Sequence, residues 1–122
     1  MICLAAGTLV ATLAVNNFTL AWMHSIEKVR WEEDWHTETG ALVIDQARIR
    51  GTGAGMEPPE NAVLEDSVWH YQPAKIRHEV LRLTHSPYVR GYEFCSGGQC
   101  QPLVDLLPGI DNNVVIDIRQ CE

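Results

Sequence analysis

The densest run of reactive side chains is His24-Ser25-Ile26-Glu27-Lys28, followed after two residues by Trp31-Glu32-Glu33-Asp34-Trp35-His36. Imidazole, hydroxyl and carboxylate groups in one short stretch suit nucleophilic catalysis, metal ligation or recognition of a polar ligand. Alternation along an extended strand puts Phe18, Leu20, Trp22, His24 and Ile26 on one face, and Ser25 and Glu27 on the other. Adjacent strand residues point apart, so a Ser25–His24 nucleophile pair is disfavoured, and no G-x-S-x-G elbow occurs in the chain. No catalytic residue is assigned. Glu33 shares a face with Trp31 and Trp35, which leaves two readings. One is a neutral His24 hydrogen-bonded across a hairpin to Glu33; the other is a small-ligand or partner-docking site built from His24, Ser25, Glu27 and Glu33. A divalent metal on His24 with Glu27 or Glu33 needs all of them on one side of the sheet, so no metal centre is expected.

Gly51-Thr52-Gly53-Ala54-Gly55 lacks the Lys-Ser/Thr of a phosphate loop and the G-x-G-x-x-G spacing. Glycines at alternate positions predict a rigid, bulged loop, with Gly53 and Gly55 as further candidates for ligand or partner contact. Met56-Glu57-Pro58-Pro59 extends it as a stiff apolar segment. Of the four tryptophans, Trp22 and Trp69 read as core, whereas Trp31 and Trp35, flanked by acids, read as an exposed pair suited to recognition.

Cys95 and Cys100 flank Ser96-Gly97-Gly98-Gln99, a hairpin-like run that predicts a bridge across the turn. Cys3 and Cys121 stand at the two chain ends, which often lie close together in a compact domain, so a second bridge is geometrically open. Two bridges imply an oxidising compartment; the alternative is four reduced, partly buried thiols. Zinc on Cys95 and Cys100 would need two further ligands.

These residues must be positioned by strands. Ile2 to Ala5, a turn at Ala6-Gly7, and Thr8 to Val15 predict a buried hairpin. A long strand follows from Phe18, then Trp31 to His36, a turn at Glu38-Thr39-Gly40, and Ala41 to Arg50. Gly51 to Ala62 is the one long loop. Val68 to Gln72, His78 to Thr84, Gly91 to Cys95 and Val114 to Ile118 read as further strands, and Pro102 to Leu107 as a short helical turn. The expected fold is all-β: one domain over 1–122, a small β-sandwich or partly open barrel of about seven to nine short antiparallel strands. With 122 residues and a net charge of −7, the chain has no cluster of bases to hold phosphate backbones, so no nucleic-acid partner is expected. The apolar start, Met1 to Val15, has no Lys or Arg before Lys28 and is too short to span a bilayer, so neither an export signal nor a transmembrane segment is expected in it.

Three stretches carry a family resemblance: Phe18 to Lys28, Trp31-Glu32-Glu33, and Arg48 to Pro59. Together they resemble the bacterial family catalogued as domain of unknown function 1850. Its His-Ser-hydrophobic-Glu motif is matched by His24 to Glu27, its following Glu by Glu33, and its Gly-Ala-Gly loop by Gly53 to Gly55. The Cys95 to Cys100 hairpin leading into Gln101-Pro102-Leu103 resembles one branch of the family. The resemblance implies a setting beside tripartite ATP-independent periplasmic (TRAP) transporters of the TAXI type, in the periplasm or on the outer face of the inner membrane. It implies a non-enzymatic accessory protein partnered with the transporter's membrane or solute-binding subunits, with no cofactor. The alternative is a β module that binds a small organic acid or a metal.

Overall fold

In a computed structural model, residues 1–23, 29–51, 59–86 and 91–121 are described. Twelve strands are present among them: β1 (Ile2–Ala6), β2 (Leu9–Leu13), β3 (Asn17–Met23), β4 (Arg30–Glu38), β5 (Ala41–Arg50), β6 (Val63–Glu65), β7 (Val68–Tyr71), β8 (Arg77–His78), β9 (Leu81–His85), β10 (Glu93–Ser96), β11 (Gln99–Pro102) and β12 (Val114–Gln120). A single 3-10 turn, Leu103–Leu106, connects toward β12, where the helical turn was expected. All pairings are antiparallel.

A small sheet runs β2-β1-β12-β9 and a large one β11-β10-β3-β4-β5-β7-β6, with β8 paired to the other end of β5. The sheets are not closed into a barrel, so the sandwich is the form adopted. The strand number exceeds seven to nine because the chain uses two- and three-residue pieces. Val63–Glu65 is a strand just beyond the long loop, and the expected strand from His78 to Thr84 is split, His78 pairing with β5 and Leu81 onward with β12.

Alternation builds the core. Ile2 and Leu4 of β1 with Ile116 and Ile118 of β12 point inward from the small sheet, meeting Phe18, Leu20, Trp35 and Phe94 from the large one. Removing the branched end of a fully buried residue such as Ile118 by Ile118→Ala costs about 2–5 kcal/mol. Phe18 stacks on Phe94 at 4.9 Å and lies near-parallel to Trp35 at 6.4 Å.

A β-bulge in β5 decides which side chains face out. Asp34 pairs with Gln46 but Trp35 pairs with Ile44, so Asp45 is left over. Unbroken alternation would put Ile44 on the same face as Gln46 and Arg48. The extra residue instead lets Leu42 and Ile44, then Ala47 and Ile49, all point into the core, leaving Gln46 and Arg48 outside. The hairpin between β10 and β11 turns on Gly97 and Gly98, both at positive φ (61° and 80°), which a two-residue turn of this hand requires.

Candidate functional site

The strand register assembles a charged surface on the outer face of the large sheet. Thr19, Asp34 and Gln46 form one cross-strand row, Ala21, Glu32 and Arg48 the next, and Met23, Arg30 and Arg50 the third. Glu93 and Cys95 of β10 extend it beside Ala21 and Thr19. Glu32 is 8% exposed and accepts hydrogen bonds from the Nε atoms of Arg30 (2.9 Å), Arg48 (2.9 Å) and Arg50 (2.8 Å). Asp34 accepts from both terminal nitrogens of Arg48, from the Thr19 hydroxyl at 2.6 Å and from Gln46. Arg30 also reaches Glu93 at 2.8 Å.

These contacts hold the acids ionised. The Arg48 hydrogen bonds, outweighing burial and helped by Thr19, lower the Asp34 carboxyl to about 2. Burial alone would lift Glu32, but its three arginines bring it below the ordinary carboxylate range. Burial also opposes the charge on Arg30, and Glu32 with Glu93 reverses that. Three guanidiniums face three carboxylates, so the patch is neutral but strongly polar.

The patch floors a solvent-facing concavity of about 440 Å³, lined by Asn17, Thr19, Glu32, Asp34, Arg48 and Arg50, and walled on one side by the β10–β11 hairpin. Arg50 is half-exposed there. A second depression of about 430 Å³ lies between Trp22, Tyr92, Arg30, Glu93 and His85.

Glu33 points the other way, into the sandwich, in the row of Leu20 and Ala47. Burial raises its carboxyl, and the Trp35 indole N–H opposes that shift without reaching hydrogen-bond geometry with any described group. Tyr71 and Tyr92 are pushed up by burial and then by the Glu33 charge, which places both phenols in its field. Trp22 stacks on Trp31 at 6.2 Å and meets Tyr92 at 5.7 Å, so the acid sits in an aromatic surround.

His24, Ser25, Glu27, Gly53 and Gly55 lie outside the described residues; Glu33 is the described member of that predicted group. The expectation that Trp31 and Trp35 are exposed is overturned. Trp35 is 2% exposed and Trp31 half-buried, because the register pairs them with Phe18 and Trp22 on the inner face while the flanking acids take the outer one. Trp22 and Trp69 are half-buried. Glu32, Asp34, Arg48 and Arg50 were not singled out from sequence as a site. The signal was there in Glu-x-Asp and Arg-x-Arg at alternate positions of two strands joined by the Thr39-Gly40 turn.

Cys95 is bonded to Cys100 and Cys3 to Cys121, and no cysteine is free. Ligand atoms of Glu93, Cys95 and Cys100 lie within 4.8 Å of one another. With the sulfurs bonded to each other and Glu93 ion-paired to Arg30, that trio does not form a metal centre in this oxidised form. No helix among the described residues is long and apolar enough to cross a membrane.

The fold and site define an all-β sandwich, stapled by two disulfides, that carries an ion-paired polar face on its larger sheet. Residues 18–103 match the family model described as Domain of unknown function (DUF1850), and the chain belongs to that family. No curated protein and no solved structure matches the chain. The matched span begins at β3 and ends at the start of the 3-10 turn. It contains the whole charged face but not β1, β2 or β12.

Proposed function

We propose that this protein is a non-enzymatic accessory module that docks a partner on the outer concavity of its large sheet. The partner is a membrane or solute-binding subunit of a TAXI-type tripartite transporter, met in the periplasm or on the outer face of the inner membrane. The observation that carries the docking role is the clamping of Glu32 by Arg48 and Arg50, and of Asp34 by Arg48, in a solvent-facing hollow. A general acid or base works best with a pKa near the operating pH, and an acid held at about 2 suits recognition instead. The transporter setting is supported by the family resemblance. The oxidising compartment is supported by the two bridges.

Affinity capture of the transporter's subunits with the intact protein in mild detergent tests the proposal. Co-purification that is lost in Arg50→Glu, a half-exposed position at the rim, is the expected result. Equal recovery with the wild type and with an unrelated β-sandwich overturns it.

A second reading, a small-ligand module, is favoured by Glu33, a half-buried acid on the inner face with Trp22, Trp31, Tyr71 and Tyr92 around it. Organic acids and divalent ions screened by thermal shift test it: a specific rise in Tm that disappears in Glu33→Gln supports it, and no rise with any compound rejects it.

A further inference from the structure

We propose that Cys95–Cys100 is a thiol-exchange site, opened and closed by thiol reagents while Cys3–Cys121 stays shut. The two bridges differ in the features that govern exchange. Cys95 and Cys100 are directly opposed on β10 and β11, with Cα atoms 4.0 Å apart. That is nearer than the usual lower limit of about 4.4 Å, and a bridge compressed in this way is more easily reduced. β11 is exposed along its whole length and pairs with β10 alone, so a reagent reaches Cys100 without displacing any core residue.

Cys3–Cys121 has an ordinary Cα separation of 5.8 Å. It joins β1 to the residue that follows β12, β1 and β12 being the two central strands of the small sheet; both sulfurs are on half-buried residues, and the Cys121 N–H donates to the Met1 carbonyl at 3.0 Å.

The surroundings also set the direction of attack. Cys100 is exposed, while Cys95 is half-buried with the Arg30 guanidinium Nη2 4.0 Å from its sulfur. An incoming thiolate forms a sulfur–sulfur bond with Cys100 as the Cys95–Cys100 bond breaks. The electron pair of the broken bond stays on Cys95 as a thiolate beside a positive charge, which makes Cys95 the better leaving group. Glu93 sits close by, but its carboxylate is held by Nη1 of the same arginine at 2.8 Å. A second thiolate then attacks the mixed disulfide. Two thiols are oxidised to one disulfide and the protein bridge is reduced to two thiols. The reagent class is a thiol, either a small molecule or a protein dithiol. Opening removes the covalent tie across the hairpin that walls the concavity, leaving β11 held to β10 by its backbone ladder alone; its bearing on docking rests on the docking reading above, whereas the exchange itself does not.

The test equilibrates the native protein in buffers of graded reduced-to-oxidised glutathione, quenches with acid, alkylates, and reads each cysteine by mass spectrometry. Cys95 and Cys100 are expected to label at roughly tenfold lower thiol excess than Cys3 and Cys121, equivalent to about 30 mV. Joint opening of the two bridges, or earlier opening of Cys3–Cys121, overturns the proposal. A parallel arm uses a C-x-x-C dithiol protein as reductant: selective opening in either arm supports the site, and resistance in both overturns it. In a time course of the same labelling, quenched at intervals after adding reduced glutathione, Arg30→Gln is expected to slow opening of Cys95–Cys100 several-fold while that of Cys3–Cys121 is unchanged. A general loss of folding would speed both, and an unaltered Cys95–Cys100 rate overturns the role given to Arg30. Subunit capture reads a different property, so failure of exchange and failure of docking are told apart.

Discussion

Arg48 holds Asp34 through both of its terminal nitrogens, from opposite sides of the β4–β5 pairing, while its Nε reaches across to Glu32. One planar fork therefore ties together two carboxylates two residues apart on β4, a geometry that a lysine at position 48 would not reproduce.

The first prediction concerns acid stability. Asp34 has a folded-state pKa of about 2 against 3.8 ordinarily, so its contribution is present above about pH 4 and is lost as pH falls through 2. The shift corresponds to about 2 kcal/mol. Asp34→Asn is expected to lower stability at pH 7 by about that amount and to flatten the acid limb of a urea-denaturation series. An unchanged acid limb would show that the ion pair does not outlast solvent exposure.

Glu32 is the common acceptor for three arginines, and removing it leaves Arg48 nearly buried without one of its two carboxylates. Glu32→Ala is expected to cost about 2–3 kcal/mol, at or just below the roughly 3–5 kcal/mol of a fully buried broken pair because Arg50 stays half in water. Chemical denaturation measures this directly, and a loss below about 0.5 kcal/mol, the size of an ordinary surface change, contradicts it.

Glu33 behaves in the opposite sense. Its folded pKa is raised by burial, so its stability contribution is complete below the unfolded value and is lost as pH rises through the folded one. Glu33→Gln is expected to be more stable than the wild type at neutral pH and to lose that advantage below about pH 4. Melting temperatures across the pH range test the crossing.

His36 bridges Glu38 and Asp45, each at 2.8 Å, and the Glu38 contact leads in raising its pKa above 6.5. The imidazolium form is therefore favoured in the fold. Its contribution is complete below 6.5 and fades as pH rises through the folded-state value. Proton NMR of the His36 ring is expected to titrate above 6.5, and to return toward the ordinary value in Glu38→Gln. A titration at or below 6.5 in the wild type refutes the assignment.

Much of the fold was readable because local signals agreed with the global structure. The alternation of Phe18, Leu20 and Trp22 set the inner face of β3, and the Gly40 and Gly97-Gly98 turns set two hairpins. The bulge at Asp45 leaves a trace in the apolar phase, which moves from Leu42 and Ile44 to Ala47 and Ile49, but the unbroken run Leu42-Val43-Ile44 hides where the slip falls, and only the pairing with β4 places it. Trp35 was misjudged for a related reason. Acids on either side suggest water, yet in a strand the neighbours of an inward residue point outward by necessity. The charged face was latent in the Glu32/Asp34 and Arg48/Arg50 spacing, but only the register brings those rows side by side.

The Cys3–Cys121 bridge has a mechanical consequence. It joins residues 118 apart, at the ends of neighbouring strands, so the intervening chain is a covalent ring. Tension applied between points outside that ring passes through two sulfur atoms and leaves the hydrogen-bonded ladders unloaded. Pulled from handles fused at its two ends in an optical trap, the oxidised protein is expected to show no stepwise lengthening from the sandwich. Adding a strong reductant shifts the load onto the β1–β12 pairing, and the sheets then unravel.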